Sequence, residues 1–215
     1  MDRASLLVDA FSVPSPNPVA PFSISLEPGR VLGLIGGPGT GLTRLALSLL
    51  AAQPGMIAVV DVRGWLCPVA AWEVGIAPDR LVVVRCPDRS DWSKVTASLI
   101  EGFPAVYAEV PTHTTDADLR RLGALVRARK SALILHPVSG DLPAGVLHLR
   151  IEAESVRWEG ADRGYGALLR RHLTLRASGK GARGIEQVVE LEDDGSHAVR
   201  VVSRLAAAPP GLAAG

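Results

Sequence analysis

Eight consecutive residues, Gly36-Gly37-Pro38-Gly39-Thr40-Gly41-Leu42-Thr43, have the spacing of the phosphate-cradling pattern GxxxxGK[ST]. In that pattern the glycines let the backbone wrap closely around phosphate oxygens. The loop N–H groups and the N-terminus of the following helix then point at the anion. Leu42 stands where the pattern has lysine. An aliphatic side chain cannot neutralise a phosphate, and losing one charge-assisted contact of about 1.5–3 kcal/mol weakens binding roughly 10–150-fold. Thr43 keeps the hydroxyl that a magnesium ion would use, and Arg44 is the nearest replacement cation, though it leaves the helix in a different direction. Two readings follow. Either Gly36, Gly37, Gly39, Gly41 and Thr43 still hold a nucleotide through backbone and hydroxyl contacts, or the loop is a relic that only joins a strand to a helix.

A second cluster is basic. Arg163, Arg170, Arg171, Arg176, Lys180 and Arg183 fall within 21 residues that contain few acids. Exposed together, they would grip a phosphate backbone, with Tyr165 available for base stacking, or meet a protein partner. The plainer reading is a solvated strand face near the acidic run 190–194. As surface groups, Arg170 and Arg171 would tolerate replacement by glutamate without unfolding. Trp65, Trp72 and Trp92 lie close together in a chain with only 4% aromatic residues and are expected in the core, an exposed patch for a partner being the alternative. Cys67 and Cys86 lack metal spacing and read as buried thiols of a reducing compartment. No Ser/His/Asp set or paired-carboxylate set is arguable, and no metal site is expected.

The elements that carry these groups alternate. Apolar strands are predicted at 31–35, 56–62, 80–85, 105–110 and 131–136, with helices at 42–52, 68–74, 92–101 and 115–130 between them. Apolar strands separated by helices make βαβ units and a parallel sheet covered on both faces. From residue 146 the pattern changes to short alternating strands at 146–151, 155–158, 172–176, 187–191 and 198–202, with one helix suggested near 165–170. These are expected to form antiparallel hairpins at one sheet edge. Residues 1–20 read as a flexible lead-in, 21–205 as one domain (core 25–145, extension 146–205), and 206–215 as a disordered tail.

The bulk composition fits this α/β reading. The chain has 215 residues, 47% of them hydrophobic, and a formal net charge of +1. A domain of this size buries roughly 70% of its unfolded surface without disulfides or metals. The near-zero charge excludes a chain-wide nucleic-acid polycation, so any basic surface is local. The N-terminus has no signal-peptide pattern and no apolar run reaches the length of a membrane span, which predicts a cytoplasmic location.

The runs GGPGTGLTRLALSLL, MIAVVDVRGWLCPVAAWEVGIAPDRLVVVRCPD, FPAVYAEVP and SALILHPVS follow the motif order of RecA-type recombinases, a resemblance spanning roughly 25–205. It implies a RecA-like P-loop core. The catalytic glutamate of that family would fall at Arg63, which cannot act as a base, and the Walker B carboxylate at Glu109. His136 would fall near the family's nucleotide-sensing glutamine. Residues 1–20 leave no room for the recombinase oligomerising element, and the two DNA-binding loops would be short, so filaments are not expected. Among RecA-like proteins the chain resembles the ImuA-type (SulA/RecA-like) mutasome accessory proteins. That resemblance implies a non-catalytic role in DNA-damage-induced mutagenesis and the SOS response, supporting translesion synthesis. The implied partners are an ImuB-like Y-family polymerase homologue, an error-prone DNA polymerase and RecA, with weak DNA binding. No cofactor is expected, ATP with magnesium being the alternative. Two other functions stay open: a nucleotide-binding ATPase switch in DNA repair, and a SulA-like cell-division inhibitor.

Overall fold

A computed structural model of the chain describes residues 24–160, 167–193 and 200–206. Nine strands form one sheet in the order β3-β2-β4-β5-β1-β6-β7-β8-β9. The strands are β1 (Val31–Ile35), β2 (Ile57–Asp61), β3 (Leu81–Arg85), β4 (Ala105–Val110), β5 (Ala132–Pro137), β6 (Leu149–Glu159), β7 (Arg170–Ser178), β8 (Gln187–Asp193) and β9 (Arg200–Ala206). β1 to β6 pair in parallel, and β6 to β9 pair antiparallel. Helices α1 (Leu42–Ala51), α2 (Pro68–Glu73), α3 (Arg89–Gly102) and α4 (Asp116–Arg129) connect the parallel strands.

The period of two along each strand divides the core into two layers. Leu32, Leu34, Ile57, Val59, Tyr107 and Ile134 pack against Leu45, Leu47 and Leu50 of α1 and Ala71 of α2. Val31, Ile35, Val60, Val106, Leu133 and Leu135 face the opposite way, onto Trp92 and Ile100 of α3 and Leu119, Leu122 and Val126 of α4. A strand buried on both faces must be apolar throughout, and β1, β2, β4 and β5 are buried at every position.

Several expectations are corrected. Residues 146–151 and 155–158 do not form two strands. They contribute to one strand, β6, with a register irregularity between Ala153 and Ser155 that absorbs Glu154. Val146 itself lies in a turn closed by its N–H on the Pro143 carbonyl. Because β6 runs parallel to β1, the antiparallel extension begins at β7 and not at 146. α3 starts at Arg89, three residues early, because the Asp88 carboxylate accepts from Ser90 N at 2.8 Å and caps it. Residues 165 and 166 of the suggested helix at 165–170 lie outside the described residues, 167–169 are not helical, and Arg170 opens β7. The lead-in at 1–20 and most of the tail also lie outside, though Ala206, assigned to the tail, ends β9. Of the three tryptophans only Trp92 is in the core, Trp65 and Trp72 being 67% and 46% exposed. Cys86 is buried as expected, but Cys67 is exposed. Among the described residues no helix is long and apolar enough to cross a membrane.

Candidate functional site

The glycine-rich loop leaves β1 and turns into α1 at the C-terminal ends of the parallel strands, where open α/β sheets bind ligands. Gly39 and Gly41 take φ values of +83° and +78°, which other residues adopt only with strain. At Gly36 a side chain has no space, since a Cβ would lie 2.8 Å from Leu42 Cδ1 and 3.0 Å from Ala153 Cβ. Gly41 is the N-cap of α1 and offers no side-chain cap, so the loop presents first-turn N–H groups of the helix. Leu42 points into the core and is almost wholly buried. The lysine position therefore serves packing.

Two carboxylates end β2 and β4. Asp61 Oδ1 accepts from Gly64 N at 2.8 Å and Trp65 N at 3.1 Å, while Oδ2 accepts from Leu66 N at 3.2 Å. It shapes the β2–α2 connection. Glu109 is engaged at both oxygens: Oε2 accepts from Val62 N and Arg63 N at 3.0 Å each, and Oε1 from Arg63 Nε at 2.8 Å, with Arg63 Nη2 also on Oε1. Arg63 stacks on the exposed Trp65 ring, its guanidinium carbon 4.9 Å from the centroid. Thr43, Asp61, Arg63, Tyr107 and Glu109 line a recess of about 140 Å³.

The Tyr107 hydroxyl lies 2.8 Å from His136 Nδ1, and His136 Nε2 faces the Gly36 carbonyl at 3.4 Å. His136 thus ties β5 to the loop. Burial pushes the Tyr107 hydroxyl up and the His136 ring below the ordinary histidine value of 6.5, the Gly36 carbonyl acting in the opposite sense on the histidine. The sign is definite: a histidine depressed in the folded state is protonated first in the unfolded state, so stability is lost as pH falls below about 6.5. Urea unfolding midpoints measured from about pH 7 to about pH 5 should fall more steeply for the wild type than for His136→Gln. Equal slopes would mean that His136 takes up its proton as readily in the folded protein as in the unfolded chain.

The basic residues do not form one surface. Arg163 lies outside the described residues. Arg170 is exposed and pairs with Glu192 at 3.3 Å; Arg176 is exposed and pairs with Glu154 and with Glu186, the latter at 2.9 Å. Lys180 and Arg183 belong to the turn after β7, roughly 30 Å of strand away from Arg170. Arg171 corrects the expectation of exposure, being only 8% exposed. It shares the inward face of β7 with Leu173, Leu175 and Ala177, directly opposite Asp193 of β8. Its Nη2 meets Asp193 Oδ2 at 2.5 Å, and Arg44 Nε reaches the same oxygen at 2.9 Å. Arg44 Nη1 also pairs with Glu73 at 3.2 Å. The guanidinium of Arg171 lies against Gly41, where a Cβ would be 2.6 Å from Nη1. Arg171 and Asp193 are thus loop-side residues that charge composition alone did not reveal; the alternation of β7 and β8 carries the signal.

Loop, Arg44, Arg63, His136 and Arg171 enclose a cleft of about 270 Å³ whose lining contains no carboxylate. A magnesium ion does not fit these residues, because both Glu109 oxygens are occupied by Arg63 and backbone N–H groups.

A parallel sheet whose first strand feeds a glycine-rich loop and helix, extended at one edge by antiparallel strands, defines a RecA-like domain. The chain belongs to the MT3502 N-terminal domain family, whose model matches residues 24–143, more than half of the chain. It is similar in structure to the RadB recombinase, with a TM-score of 0.59 and 15% sequence identity over 83% of this chain and 93% of that one. At that identity the likeness is one of fold. No curated protein matches the sequence.

Proposed function

We propose that the chain is a RecA-like accessory protein of DNA-damage-induced mutagenesis that does not hydrolyse nucleotide and acts through protein contacts. The observation that carries the non-catalytic part is the Arg63–Glu109 pair. The position expected to hold a general base is a cation, and it neutralises the neighbouring acid. The contact role draws support from the exposed Val69 and Trp72, three residues apart on one face of α2, and from the exposed Trp65 in the loop before it. The ImuA-type resemblance names the partner, an ImuB-like Y-family polymerase homologue, and the fold likeness to a recombinase suits a DNA-repair setting.

Phosphate release with magnesium ATP, with and without single-stranded DNA, should not exceed the protein-free rate, since losing such groups costs several orders of magnitude. A turnover of about 1 per second, ordinary for an enzyme, that disappears in Thr43→Ala would overturn the non-catalytic reading. Affinity purification from DNA-damaged cells should recover the polymerase homologue. Recovery of a tubulin-like division protein in its place would favour the cell-division inhibitor instead.

A further inference from the structure

We propose that the rim at the N-terminal ends of the parallel strands, opposite the glycine-rich loop, binds an acidic segment of a partner protein through Arg30, Arg127, Lys130, Lys180 and Arg183. Backbone hydrogen bonds string these residues along one edge. Gly29 N donates to Ser131 O at 2.7 Å, which sets Arg30 beside Lys130. His148 N donates to Val31 O and Gly181 N to His148 O, each at 2.8 Å, which brings the turn carrying Lys180 and Arg183 to the same end. Arg127 lies against Gly29, its Cα 3.9 Å from where a Cβ would stand. β5, β1, β6 and β7 are neighbours in the sheet, so the line spans roughly 14 Å at about 4.8 Å per strand.

All of these cations are exposed, and among the described residues none has an ion pair or a side-chain hydrogen bond. The nearby carboxylates are engaged elsewhere: Glu27 faces His148 Nε2 at 3.8 Å, Glu101 pairs with Arg129 at 2.8 Å and Glu186 with Arg176 at 2.9 Å. Arg127 and Lys130 suit the C-terminus of α4, whose carbonyls attract cations, but Arg30, Lys180 and Arg183 belong to no α-helix. Lys130 and Arg183 take φ values of +55° and +59°, so each places a charge where backbone preference alone favours glycine. A peptide fits this rim better than a nucleic acid does. The exposed tryptophans Trp65, Trp72 and Trp158 all lie away from it, so none is there for bases to stack on. Ile185, 63% exposed in the same turn as Arg183, supplies an apolar anchor that a phosphate backbone would not use. The inference rests on the reading that the chain works through protein contacts, and it adds a second face to that of α2.

The test is fluorescence anisotropy of the full chain with a fluorescein-labelled, glutamate-rich peptide carrying a central leucine, at low ionic strength. The peptide should bind saturably, weaken as sodium chloride is added, and fail to bind when its glutamates are replaced by glutamine. Lys180→Glu with Arg183→Glu should weaken binding about tenfold, and so should Arg30→Glu with Lys130→Glu. Arg157→Glu with Arg170→Glu changes the net charge equally at the far end of the β6–β7 pair and should leave the affinity unchanged. The replaced groups are all exposed, so the variants should stay folded, which urea unfolding measures. No saturable binding, unchanged affinity in either folded rim variant, or equal losses in the rim and far-end variants would each overturn the proposal. A labelled oligothymidylate that binds more tightly than the peptide, and is lost in the same rim variants, would overturn it in favour of a nucleic acid. Because the probe is synthetic, the result does not depend on recovering the polymerase homologue, and either reading can fail alone.

Discussion

Replacing Arg171 by glutamate should destabilise the domain by about 3–5 kcal/mol, whereas the same change at Arg170 should cost no more than about 1 kcal/mol. The two residues are adjacent and chemically identical, and the difference lies in the faces of β7 that they occupy. Arg170 is exposed, and its pair with Glu192 is partly open to water, which screens it. Arg171 is buried against Gly41 with Asp193 as its counter-ion. A glutamate there takes away the cation that Asp193 faces and puts a second carboxylate beside it, while Arg44 is left as the neighbouring cation. Urea unfolding of the two single variants measures the contrast directly. Equal, small effects would show that Arg171 reaches water readily.

That contrast also shows what the sequence hides and why. The parallel half was legible to within a few residues, because strands buried on both faces are apolar runs and their helices carry caps and turn signals, as with Val31–Ile35 and Ala105–Val110. The glycine-rich loop was legible for the same reason, its spacing being local. The role of Arg171 is hidden because arginine is usually exposed and a cluster of charges carries no strand phase. Leu173, Leu175 and Ala177 place Arg171 on the buried side by simple alternation, and Val189 and Leu191 do the same for Asp193. The Arg63–Glu109 pair was hidden differently. Each residue was expected at a chemically important place, but their meeting depends on β2 lying beside β4, and strand order cannot be read from a single sequence.

Glu109→Ala should cost about 3–5 kcal/mol, as should Arg63→Met, and the double variant should recover most of that loss. Removing the carboxylate strands a guanidinium that is mostly buried and withdraws the acceptor of two backbone N–H groups, at Val62 and Arg63. Removing the guanidinium strands a carboxylate with only 6% of its side chain exposed. Taking both away leaves no uncompensated charge, so the penalties do not add. The coupling from a double-mutant cycle reads this out, and a coupling near zero would mean that water already separates the two groups. Arg63→Met also bears on the recess, since it releases one Glu109 oxygen beside Thr43 and Tyr107.

The strand order has a consequence for synthesis on the ribosome. β1 lies between β5 and β6, so its second neighbour is made roughly 120 residues after it. At about 5–20 residues per second, the nascent chain carries β1 without that partner for roughly 6–24 s. For most of that interval, until β5 is made, an apolar five-residue segment has neither of its hydrogen-bonded neighbours, although α1 is available early to cover one of its faces. The centre of the sheet, best protected in the finished domain, is thus the part most dependent on early shielding while the chain is being made.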